Sequence, residues 1–170
     1  MGEHKLRRPL DPFGYEQLAK LYGQLGQPEQ ALPNLIELHR RTMKDPKYAR
    51  QVAAFYRTSE TPQRALPFWE QVIQINPYDA GAYKAMASLY LREKHYDRAV
   101  LAMRSVCKLE PKNADSWAQL AAVYYRVGKA EKSAERLSQA RSAAEKALQI
   151  DPNSPARDIL EMVEAESKRL

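Results

Sequence analysis

Residues 76–111 read NPYDAGAYKAMASLYLREKHYDRAVLAMRSVCKLEP. Tyr83, Met86, Ala87 and Tyr90 recur at steps of three, one and three, so they share one face of a helix over 80–92. A short break at Glu93-Lys94-His95 follows. Ala99, Met103, Val106 and Leu109 then form a second apolar stripe, and Glu110-Pro111 ends it. Proline cannot continue a helix and disfavours helical geometry in the residue before it. The unit is helix, tight turn, helix, proline stop.

The same unit recurs at a step of 34 residues. Tyr22, Tyr56, Tyr90 and Tyr124 keep that step, as do Ala19, Ala53, Ala87 and Ala121. Leu18, Val52, Met86 and Leu120 form another column, and Ala31, Ala65, Ala99 and Ser133 a fourth. A fixed period of this length marks a repeat architecture rather than a single globular core. The first unit turns at Gly26; the fourth carries Trp117 and is read as turning at Gly128, with its second helix starting at Ala130. Small residues such as Ala87 and Ala99 let helices cross closely. One hairpin cannot bury both faces, so each needs the next.

These columns resemble the tetratricopeptide repeat across roughly residues 12–152: an aromatic, Leu-Ala, Tyr, a turn, Ala, a bulky apolar residue and Pro. The resemblance implies an all-α, right-handed solenoid of four helix-turn-helix repeats at about 12–45, 46–78, 79–112 and 113–152. Residues 1–10 lack periodicity and are read as a flexible tail. Over 153–170, Ile159, Leu160 and Val163 oppose Glu161, Glu164, Lys168 and Arg169, an amphipathic helix suited to cap the last open face.

Two departures stand out. Pro28 and Pro62 begin second helices, where the first turn tolerates proline, whereas Pro33 and Pro67 follow five residues later and are expected to bend their helices. Pro111 to Pro152 spans seven residues beyond the period, about two helical turns, and Ala140 and Ala147 repeat the small slot. The expectation is an extended second helix of about 21 residues, from Ala130 to Ile150.

The chain carries a net charge of +6, with Lys and Arg dispersed rather than run together. The clusters Arg7-Arg8 and Arg40-Arg41 are too short for a nucleic-acid arm. Cys107 is the only cysteine, so no internal disulfide forms, and no apolar run spans a bilayer. Nothing indicates a compartment other than the cytoplasm. His4, His39 and His95 have no metal spacing, and no phosphate loop or nucleophile–base pair occurs. His39 and Cys107 take second-helix slots suited to packing. Neither cofactor, metal nor catalysis is expected.

In arrays of the family resembled, first helices line a concave groove that holds peptides or partner helices. Helical spacing assigns seven basic residues to that face (Lys20, Lys47, Arg50, Arg57, Lys84, Arg92 and Arg126) against the acidic Glu16 and Asp115. Leu91 and Tyr125 supply apolar contacts. The expected partner is an acidic or extended protein segment, since the arginine fork can hold a carboxylate through two bonds. Slots that grip chaperone carboxylate tails in some family members read Glu16, Lys20, Gln51, Gly81 and Ala85 here, which disfavours that docking. The leading reading is a scaffold or adaptor. Rival readings are an accessory domain of a larger enzyme or secretion machine, and an RNA-binding helical repeat. The latter needs base-facing aromatics, of which only Tyr125 and Phe13 offer any. Self-association through open solenoid ends is a further possibility.

Overall fold

The computed structural model describes residues 11–42 and 44–169, so the N-terminal tail lies outside the described residues. These residues form nine α-helices, one 3₁₀ turn and no strand. The helices divide into two compact units at the Asp79–Ala80 junction. The class is the expected one, all-α helical repeat.

The first unit holds α1 (Pro12–Gln24), α2 (Pro28–Arg41), α3 (Pro46–Thr58), a 3₁₀ turn (Pro62–Ala65) and α4 (Leu66–Ile75). Two Asp-Pro pairs start its first helices. Asp11 accepts from Phe13 N at 2.9 Å and Asp45 from Lys47 N at 2.8 Å, while Pro12 and Pro46 take the first turn, which needs no donor. Tyr15, Ala19, Leu38 and Tyr48 form a buried cluster, with Leu35 packed against it. His39 is buried, its Nε2 hydrogen-bonded to Gln71 of α4 and its ring edge-on to Phe68 at 5.7 Å. The packing role expected for it is met.

The twin prolines behave differently. Pro33 sits inside a continuous α2, whereas Pro67 falls in the first turn of α4, after the chain has tightened to 3₁₀ over Pro62–Ala65. Buried Asn34, next to Pro33, donates its Nδ2 to Gln30 O at 2.9 Å. The residue after Pro67 is Phe68. The bend expected of both helices gives way, in the second, to a junction of 3₁₀ and α geometry.

The second unit holds α5 (Ala80–Arg92), α6 (Tyr96–Leu109), α7 (Ala114–Glu131), α8 (Ala134–Ile150) and α9 (Ala156–Ser167). Here the expected turn at Gly128 and the 21-residue second helix are corrected. Gly128 lies within α7, and α8 begins at Ala134 and runs 17 residues. The left-handed residue closing the turn is Gly26 in the first hairpin, Lys94 in the third and Lys132 in the fourth. Lys132 comes 38 residues after Lys94 instead of 34, so four of the seven extra residues fall before the turn and three after it. Each arm grows by about one turn. Growth in one arm alone would leave two turns of apolar face without an antiparallel neighbour. Ser133, read from the period as a packing slot, instead caps α8 by accepting from Arg136 N at 3.3 Å.

The hydrogen bonds that close each turn set the true register. Gln27 N donates to Tyr22 O, His95 N to Tyr90 O and Ser133 N to Gly128 O, at 2.8–2.9 Å. By this register Gly128 stands where the first and third hairpins carry tyrosine. Leu137 stands where they carry Ala31 and Ala99. The large–small pair is inverted: a Cβ added to Gly128 would lie 2.9 Å from Leu137 Cδ2 and 3.1 Å from its backbone nitrogen. Beyond α8, the terminal helix α9 packs on α8 and α7, burying Ala156 and Val163.

Candidate functional site

In the first unit, α1, α2 and α3 enclose a cleft of about 530 Å³. Lys20 and Lys47 border it, with Gln51 and Ala54 of α3, over a floor that includes Ala31, Leu35 and Leu38 of α2. The first-helix positions follow from helical spacing. The floor was missed in the sequence because it comes from second-helix residues, which the repeat pattern marks only as core. Lys47 Nζ meets Glu16 Oε1 at 2.7 Å, and Tyr48 Oη donates to the same oxygen at 2.9 Å. These bonds, Lys47 first, hold the Glu16 carboxyl below its usual value, and the reciprocal bond raises Lys47.

The remaining basic residues separate into paired and unpaired. Arg50 meets Asp79 at 2.6 Å, and Lys84 meets Glu110 at 3.0 Å. Arg57, Arg92 and Arg126 are exposed and make no ion pair among the described residues. In the second unit Leu91 and Tyr125 are half-buried beside Arg92 and Arg126 in sequence. Pairing was not legible beforehand because it depends on which carboxylate each neighbouring loop delivers.

Glu110 is a junction as well as a partner. It accepts from Lys84, from Asn113 Nδ2 at 3.1 Å and from Ser116 Oγ, joining α5 to the start of α7. The Ser116 bond, then Lys84, hold its carboxyl below the usual 4.5. A depressed folded value means that the ionised form stabilises the fold fully above about pH 4.5, and that this contribution fades as pH falls through the folded value. The melting temperature of the native protein should therefore drop more steeply between about pH 5 and pH 3 than that of Glu110→Gln. Parallel slopes in differential scanning calorimetry would contradict this.

No group of three metal-ligating side chains occurs among the described residues. No helix among them is long and apolar enough to cross a membrane. Cys107 is buried, its thiol donating to Ser116 O at 3.3 Å, and burial pushes its pKa up to about 11. That leaves almost no thiolate at neutral pH.

Two family models, each described as tetratricopeptide repeat, match residues 80–123 and 121–154. No curated protein sequence matches the chain. Among solved structures, the MamA protein is similar over 92% of this chain and 82% of its own, with TM-score 0.74 at 16% identity. YrrB, described as a TPR protein with an unusual peptide-binding site, is similar over 94% and 75%, with TM-score 0.65 at 19% identity. TTC0263, described as a thermophilic TPR protein in Thermus thermophilus, is similar over 97% and 86%, with TM-score 0.55 at 23% identity. Repeat pattern, hairpin geometry and matched models agree over residues 80–154, which carry tetratricopeptide repeats.

Proposed function

We propose that the chain is a non-catalytic scaffold or adaptor that takes an acidic peptide or helix on the first-helix faces of its units. The observation that carries this reading is the set of exposed, unpaired arginines, Arg57, Arg92 and Arg126, on α3, α5 and α7. An arginine already bound to an internal carboxylate, such as Arg50, must give up that partner to accept another. An unpaired one exchanges only water. The cleft between α1, α2 and α3 adds an apolar pocket bordered by Lys20 and Lys47, where a bulky side chain of the guest can sit. The general protein-binding role accords with the repeat family; the acidic partner and the cytoplasmic setting belong to this reading.

Charge reversal tests it. Arg57→Glu with Arg92→Glu should weaken capture of an acidic partner at least about tenfold and flatten its salt dependence. Capture and salt dependence unaltered in titration calorimetry would remove these residues from the site.

A further inference from the structure

On another side of the second unit, helix α7 packs against both α6 and α8, and a trough of about 680 Å³ runs between them. Its floor is Trp117, Leu120 and Tyr124, which lie at i, i+3 and i+7 on one face of α7. Arg104 and Lys108 of α6 border one side, and Ser142 of α8 borders the other. None of these residues belongs to the predicted first-helix face. The ion pair of Arg136 with Asp97, at 2.6 Å, ties the first turns of α8 and α6 together at one end. Near the other end the Trp117 indole is fixed by its hydrogen bond to Pro111 O at 3.0 Å.

We propose that this trough is a second docking site, for a short acidic amphipathic helix of another protein. Three features set the occupant's chemistry. The floor extends over eight residues of α7, a rise of about 10 Å, which matches two turns of a guest helix. Its aromatic and aliphatic surface suits apolar anchors spaced i, i+3 and i+4, the helix-in-groove mode. The charges on the border are both positive: Arg104 and Lys108 are exposed, make no ion pair among the described residues, and no carboxylate lines the trough. A guest with glutamates flanking its apolar stripe meets these two cations, whereas a basic guest is repelled.

The test uses the Trp69→Phe protein, in which Trp117 is the single remaining indole. Two synthetic sixteen-residue helices serve as probes, each with leucines at i, i+3, i+4 and i+7, one flanked by glutamates and its twin by lysines. The acidic helix should change Trp117 fluorescence and bind at least about tenfold tighter than the basic one. Arg104→Glu with Lys108→Glu should invert that preference, and Ser142→Phe, which fills the trough without adding an indole, should abolish binding of both. Circular dichroism confirms that each variant is folded. Charge reversal at Arg57 and Arg92 should leave this binding unchanged, which separates the trough from the first-helix site. Equal affinity for the two helices, an unmoved Trp117 signal, or insensitivity to the trough variants overturns the proposal. So does sedimentation showing dimers that Arg104→Glu with Lys108→Glu dissolves, because the occupant is then a second copy of the chain.

Discussion

Gly128→Val is expected to destabilise the second unit by about 3 kcal/mol, read as an earlier midpoint in urea denaturation. The glycine is buried inside α7, and its Cα faces Leu137 of α8 so closely that even a methyl would come within 2.9 Å of that side chain. The leucine tip could yield, but its backbone nitrogen, 3.1 Å from the added atom, cannot move without shifting α8. Glycine normally costs a helix interior about 1 kcal/mol relative to alanine, so a substitution on an open face would stabilise. The sign is therefore diagnostic. A variant as stable as the native protein would mean that the two helices do not cross at Gly128. Pairing Gly128→Ala with Leu137→Ala sharpens the test. The double variant should be less damaged than the sum of the singles, because the smaller residue at 137 makes room for the methyl.

Leu38→Ala should cost about 2–5 kcal/mol in the first unit. Leu38 is 1% exposed and packs with Tyr15, Ala19 and Tyr48, so truncation leaves a void walled by two stiff aromatic rings. Hydrogen exchange should show the loss of protection concentrated in α1 to α3. A change below about 1 kcal/mol would show that the cluster collapses around the missing atoms.

The periodicity made the helical hairpins legible because buried small and aromatic residues must recur wherever identical hairpins pack. Ala53, Ala65, Ala99 and Ala121 are all fully buried. It failed in the fourth hairpin for a physical reason. Period alone counts residues from the start of the unit, whereas packing follows the turn, and Lys132 shifted that turn by four. Gly128 then resembled a loop glycine although its role is close approach between helices. At the candidate site, spacing placed Lys20 and Lys47 on first helices but could not show that Lys47 is paired with Glu16 or Arg50 with Asp79. Those pairs depend on side chains brought together across helices and loops. The apolar trough was invisible for the same reason: it lies between helices, and no single helix pattern contains it.

Carrying glycine and leucine at the positions where the first and third hairpins carry tyrosine and alanine has a consequence for modular engineering. A chimera that grafts α5 onto α8 would set a tyrosine against a leucine. The reciprocal graft, α7 onto α6, would face a glycine with an alanine and leave a hole. The last hairpin is thus keyed to itself, and only its two arms transplanted together would carry their fit into another array.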